Sequence, residues 1–291
     1  MKNIIVIAGP TGVGKTKLSV ELAKRINAEI INADSMQVYK RLNIGTAKIT
    51  ENEKENIPHH LFDIVNPKDM YTVFDYQIDG RNKIKEILNR GKRVIIVGGT
   101  GLYIKALLYN YEFKKEDKTY DFNNMTNEEL FSKIQEYNTD INIHINNRKR
   151  LERYLTKLLN NNIDSNNGNE KVYDFSIIGL TTERENLYNI INSRVDKMID
   201  SGLIEEVKSL YDDNIRSKAI NTGIGYKELY LYFDGKITYD EAIDLIKKNS
   251  RRYAKRQYTF FNNKLDVNWF KTNYEDFSKT IEDVIKFLEG E

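Results

Sequence analysis

Within its first sixteen residues the chain runs an apolar segment, Ile4-Ile5-Val6-Ile7, into Gly9-Pro10-Thr11-Gly12-Val13-Gly14-Lys15-Thr16. An unbroken β-branched run reads as a strand buried on both faces. The eight residues after it match G-x-x-x-x-G-K-T, and Leu18, Leu22 and Ile26 then recur at helical spacing. Glycines in such a turn let backbone N–H groups converge on phosphate oxygens at a helix N-terminus. Lys15 supplies a point charge for the terminal phosphate, and the Thr16 hydroxyl can ligate Mg²⁺. A diphosphate or triphosphate ligand is expected. A plain glycine-rich turn is the alternative, and motif and context together weigh against it.

The remainder of the core follows from the same periodicities. Ile30 and Ile31 form a second apolar run, ending in the polar residues 32–37. Residues 94–97 form a third, closed by Gly98, Gly99 and Thr100, with a helix through Leu102, Ala106 and Leu107 beyond it. Residues 176–180 form a fourth. Strands alternating with helices predict an α/β fold, a parallel sheet flanked by helices. From residue 183 the chain reads as mostly helix, with Leu187, Ile191 and Val195 on one face. Residues 114–172 are rich in Asn, Lys and Glu and lack a strand-like run, which predicts a small helical insertion. The core would then comprise residues 1–113 and 173–291, and residues 160–170 read as a flexible loop.

Composition narrows the function classes. The 291 residues include no cysteine, which excludes disulfides, thiolate metal sites and a cysteine nucleophile. The N-terminal apolar run meets Gly and Pro too soon for a secretory signal, and no run approaches a membrane span, so a cytoplasmic protein is expected. The net charge of +2 hides an asymmetry. Residues 236–264 hold eight basic and three acidic side chains, and residues 148–157 hold five and one. Such blocks are solvated helix faces or nucleic-acid contacts, and charge alone does not separate the two. His59, His60 and His144 show no metal-ligand spacing and read as structural, and Trp269 reads as core in a late strand or turn.

An ordinary P-loop NTPase or kinase ends a later strand in a Mg²⁺-holding Asp. Here that strand ends in Gly98-Gly99-Thr100, and the acid at a core strand end is Asp34. Asp34, Ser35 and Gln37 put a carboxylate, a hydroxyl and an amide together, a set suited to reading and deprotonating a nucleobase. The alternative is that Asp34 or Ser35 caps a turn.

The segments GPTGVGKT, DSMQVYKRLNIGTAK (residues 34–48), PHHLFDIVNP (58–67) and GGTGLYIKALL (98–108) occur in this order. HINNRKRLER (144–153), TTERENLYNIINSRVDKMIDSGLIEEV (181–207), IGYKEL (224–229) and RRYAKRQ (251–257) follow. Together they resemble the tRNA dimethylallyltransferase family, also called tRNA isopentenyl pyrophosphate transferases, over nearly the whole chain. The resemblance implies that residues 9–16, whose sequence is that of an ATP-binding loop, hold the diphosphate of dimethylallyl diphosphate, with Thr16 on Mg²⁺. It makes Asp34 the general base at the acceptor amine. Ser35, Met36, Gln37 and Thr100 would lie against the tRNA, Arg194 on the leaving diphosphate, and Arg150 and Arg153 on the anticodon stem-loop. Three places depart from the family pattern: His144-Ile145-Asn146-Asn147 stands for HPND, Thr259-Phe260-Phe261 for TWF, and the family's short acidic–Arg segment has no match near residues 121–127.

The expected reaction is therefore transfer of dimethylallyl to the N6 amine of the adenosine 3′-adjacent to the anticodon, by a monomer. Arg251 and Lys255, spaced four apart, share a helix face with Lys247 and are expected to meet the tRNA backbone. Three rivals remain. An adenylate isopentenyltransferase acting on free AMP or ATP would need no such basic surface. A P-loop nucleotide kinase would need the missing strand-end Asp. A binding module with a vestigial loop would have no use for Asp34, Thr100 and Arg194.

Overall fold

The computed structural model describes residues 1–113, 118, 120–160 and 167–290. They divide into two compact units, Met1–Tyr109 with Lys171–Glu291, and Asn110–Glu170.

In the larger unit, β1 (Ile4–Ala8), α1 (Lys15–Ile26) and β2 (Ala28–Asn32) come first. A short α2 (Glu51–Lys54) and β3 (His59–His60) precede α3 (Val73–Asn89), β4 (Arg93–Val97) and α4 (Gly101–Leu108). The sheet order is β3-β2-β4-β1, continued by β7 (Phe175–Thr181) and β8 (Asn268–Lys271), and every pairing is parallel. The register sets Ile7 against Val97 and Ile178, and Asn32 against Val97, so the carboxyl ends of the central strands align. Open parallel sheets bind ligands at that edge.

Both faces of the sheet are dry. Ile5 and Ile7 pack with Leu18 and Leu22 of α1 and with Val284 and Leu288 of α12 (Phe277–Gly290). Val6 and Ile96 pack on the other side with Ile84 and Leu107. Each such side chain is worth about 1.5–3 kcal/mol, and Ile5→Ala or Ile96→Ala would cost roughly 2–5 kcal/mol. After β7 come α7 (Arg184–Asp200), α8 (Leu203–Asp212), α9 (Lys218–Thr222), α10 (Tyr226–Phe233) and α11 (Tyr239–Lys264). Val38 and Leu42 from the segment after β2 share a third cluster with Val195, Val207 and Leu229.

The smaller unit pairs α5 (Asn127–Gln135) with α6 (Arg148–Leu159). Leu130 and Ile134 of α5 meet Leu151, Leu155 and Leu158 of α6, one apolar stripe each. Thr126 and Glu129 form a capping box that starts α5. Its residues are not all helix or loop, as the sequence suggests: β5 (Tyr109–Tyr111) and β6 (Asn167–Lys171) make a two-stranded sheet. β5 is only Tyr-Asn-Tyr and β6 is Asn-Gly-Asn-Glu-Lys, and ladder hydrogen bonds between such segments need no apolar pattern to announce them. Of the loop expected over residues 160–170, residues 161–166 lie outside the described residues, and 167–170 are strand.

His60 Nε2 lies 2.7 Å from Oε2 of Glu29, a carboxylate 3% exposed that also meets Arg90 and Lys92. His59 Nδ1 faces the Ile57 carbonyl at 2.7 Å. Among the described residues no group of His, Cys, Asp and Glu is placed to hold a metal ion.

Candidate active site

A cavity of about 780 Å³ opens at the carboxyl edge of the sheet. One wall is the loop from β1 to α1. Gly9, Gly12 and Gly14 have φ of +134°, +88° and +91°, and a Cβ on Gly9 would lie 2.5 Å from the Leu180 carbonyl oxygen. Gly14 begins α1 with no side-chain cap, so the first amides of the helix keep their donors for a ligand. Thr11, Gly12, Gly14, Lys15 and Thr16 line the cavity, whereas Val13 is fully buried in the core. Pro10 contributes its carbonyl, which accepts from Lys15 Nζ at 2.6 Å. Burial, with Arg194 second, lowers the Lys15 ammonium to about 7, against the opposing pull of Asp34. A neighbouring anion would favour its charged form.

The facing wall is built where β2 and β4 end side by side. Asn32 holds the turn, accepting from Asp34 N at 2.9 Å and donating to the Asp34 and Leu61 carbonyls. Asp34 Oδ1 accepts from Met36 N at 2.9 Å, and Oδ2 takes no hydrogen bond among the described residues. The turn-capping alternative is thus true of one oxygen and leaves the other for chemistry. Thr100 ties the two strand ends together, accepting from Ser35 N at 3.0 Å and donating to Ser35 Oγ at 3.3 Å. A Cβ on Gly98 would lie 2.2 Å from the Ala33 carbonyl oxygen. The glycine there is steric, because it lets β4 turn against the end of β2.

Arg194 reaches the same cavity from α7. Burial lowers its guanidinium, and Asp34 and Glu53 oppose that shift. Ser35, Met36 and Gln37 line it as well, so the set expected around the diphosphate and the acceptor base shares one chamber except for Gly9, Pro10, Val13 and Thr100, which are not among its lining residues. Sequence reasoning missed Tyr253, Arg256 and Gln257 of α11, which line the chamber too. Gln257, 5% exposed, donates to the Gly99 carbonyl at 3.0 Å and leaves Oε1 buried without a partner. Burial, then Asp34, pushes the Tyr253 hydroxyl up to about 12. Their spacing of three and four residues was the available signal.

The remaining basic residues lie elsewhere. Arg251 donates to Asn192 Oδ1 at 2.5 Å and sits over the Tyr188 ring, and Lys247 pairs with Asp196 at 2.6 Å. That row is held by α7, while Lys255 is exposed. Arg150 and Arg153 are exposed on α6 of the smaller unit. Arg148 instead donates to the Phe122 and Met125 carbonyls.

Residues 37–264 match the family model described as IPP transferase. The tRNA dimethylallyltransferase of Bacillus subtilis is 48% identical, over 92% of this chain and 90% of its own length. That of Anoxybacillus flavithermus is 46% identical, over 99% and 97%. The solved tRNA isopentenylpyrophosphate transferase of Bacillus halodurans superposes with a TM-score of 0.79 at 42% identity, covering 100% of this chain and 96% of that one. A eukaryotic dimethylallyltransferase acting on tRNA gives 0.82 at 28% identity, over 100% and 80%. With a G-x-x-x-x-G-K-T loop and a strand-end carboxylate facing one chamber, and with likeness along its whole length, the chain belongs to the IPP transferase family.

Proposed function

We propose that this enzyme transfers a dimethylallyl group from dimethylallyl diphosphate to the N6 amine of the adenosine 3′-adjacent to the anticodon in tRNA. The observation that carries the reading is the shared chamber. It puts a loop made for a diphosphate and a carboxylate with a free oxygen around one space. The acceptor N–C bond forms as the allylic C–O bond breaks, pyrophosphate leaves, and the amine proton passes to Asp34. An exocyclic amine is a weak nucleophile, and a carboxylate accepting its proton contributes about 10²- to 10⁴-fold. The loop N–H groups, Lys15 and Arg194 are aimed where charge grows on the leaving diphosphate.

Mg²⁺ fits this donor set. Thr16, exposed at the cavity, would hold the ion through its hydroxyl beside the diphosphate. When bound it neutralises charge on the diphosphate. Arg150, Arg153 and Lys255 are exposed and supply phosphate contacts for the tRNA. Among the described residues no helix is long and apolar enough to cross a membrane. The reading extends to a monomer working in the cytoplasm.

The test offers radiolabelled dimethylallyl diphosphate with tRNA, AMP or ATP in separate reactions. Label in tRNA alone is the expected result. Label in a free nucleotide would favour the adenylate enzyme, and phosphate release from ATP without prenyl transfer would favour the kinase.

A further inference from the structure

Glu206 of α8 stands outside the reaction just described, yet four donors converge on it. Its Oε2 accepts from the amides of Asn43 and Ile44 at 3.0 and 2.8 Å. Its Oε1 accepts from the Gly45 amide at 3.1 Å and from the Tyr226 hydroxyl at 2.6 Å. No cation lies within ion-pair distance of it among the described residues, so neutral N–H and O–H groups alone satisfy the carboxylate. Three successive amides aimed at one carboxylate fix the backbone of a turn more tightly than any single bond. The Tyr226 ring closes over the same turn, where a Cβ on Gly45 would lie 2.7 Å from it.

The next two residues of that turn hold Gln37. Gln37 Nε2 donates to the Thr46 carbonyl at 2.9 Å and approaches the Ala47 carbonyl at 3.4 Å. Carbonyls can only accept, so the amide has one stable orientation, with Nε2 toward the turn. Oε1 takes no hydrogen bond among the described residues, and Gln37 lines the chamber. With Nε2 engaged by the turn, the acceptor oxygen is the end of the amide left to a ligand at this position. A glutamine free to flip would offer either polarity and discriminate poorly. We propose that Glu206 is a positioning residue: through the turn at residues 43–47 it fixes the polarity of the Gln37 amide, so that the acceptor side reads an N–H group of the nucleic acid. This rests on the tRNA reading above.

A double-mutant cycle tests it, with Glu206→Ala, Gln37→Ala and the pair. Glu206→Ala is expected to lower kcat/KM for tRNA by roughly 10- to 100-fold, the scale of a displaced positioning group. KM for dimethylallyl diphosphate stays as in the parent. With Gln37 already removed, the second change is expected to cost almost nothing further, because both act on one contact. Equal, multiplying losses would overturn the proposal and leave Glu206 a structural clamp. Glu206→Gln, which keeps the shape but sets an NH₂ against backbone donors, gives a milder version should the alanine variant unfold. Amide hydrogen exchange over residues 36–48 supplies an arm independent of turnover. Faster exchange in Glu206→Gln supports the hold on the turn that the proposal requires, and exchange equal to the parent refutes the proposal even if tRNA proved not to be the acceptor.

Discussion

The lowered ammonium of Lys15 makes diphosphate binding depend on pH in a way that can be calculated. In the free protein the amine titrates near 7, held there chiefly by burial. A diphosphate beside it favours the charged form and draws its pKa back toward the ordinary value of about 10.4. Binding must then take up a proton at any pH above 7. Below 7 the amine is charged already and contributes no slope. Above 7 each pH unit weakens binding by up to about tenfold, until the pKa of the bound state is reached. Pyrophosphate has titrations of its own, so the comparison is with Lys15→Arg, whose guanidinium stays charged throughout. The ligand's protons cancel in the ratio of dissociation constants, parent over variant. That ratio is expected to rise about 50-fold between pH 7 and pH 9, from linkage with a single group at 7. Titration calorimetry with inorganic pyrophosphate, repeated in buffers of different ionisation enthalpy, reads both the ratio and the proton uptake. A flat ratio with no uptake would mean that the amine is charged in the free chamber, and the reasoning from burial would fall.

Asp34→Ala should lose about 10²- to 10⁴-fold in turnover while keeping tRNA affinity, judged by single-turnover assays at saturating tRNA; activity within a few-fold of the parent would remove Asp34 as the base. Arg194→Ala should weaken inhibition by pyrophosphate and leave tRNA binding intact, as measured by competition against the labelled donor. Gly99→Ala would set a Cβ 2.0 Å from Gln257 Nε2. The resulting overpacking should cost about 1–3 kcal/mol in a denaturant melt, and an unchanged midpoint would show that Gln257 moves aside freely. Lys255→Gln should lower the log–log salt slope of tRNA binding by roughly 0.7 to 0.9. Arg251→Gln should change that slope less, because Asn192 and Tyr188 already hold the guanidinium.

How much of this was legible in the sequence depended on whether a local rule was at work. The β1–loop–α1 unit could be read because it combines an apolar run, glycines that need positive φ, and a helical stripe. Asp34 and Thr100 were legible as polar residues at the ends of apolar strands. Strand β3 was not, since His59 and His60 carry no strand pattern and pair only because the edge of β2 is open to them. Tyr253, Arg256 and Gln257 looked like ordinary members of a basic helix, and which face of α11 meets the Gly99 turn is decided by tertiary packing. The same packing sets Arg251 against Asn192 and Tyr188 of α7, contacts that spacing along α11 does not announce.

The order of the strands has a consequence for the chain as it is made. β1 precedes both of its partners in the chain and lies at the centre of the sheet, between β4 and β7. A nascent polypeptide that has passed β4 but not yet residue 175 can satisfy only one side of Ile4–Ala8. The other side stays an open row of N–H and C=O groups flanked by five buried-type residues, which is the kind of edge that recruits neighbouring chains. Ribosomal stalling or premature termination inside residues 110–170 would therefore leave a fragment with a sticky sheet edge rather than a half-working enzyme.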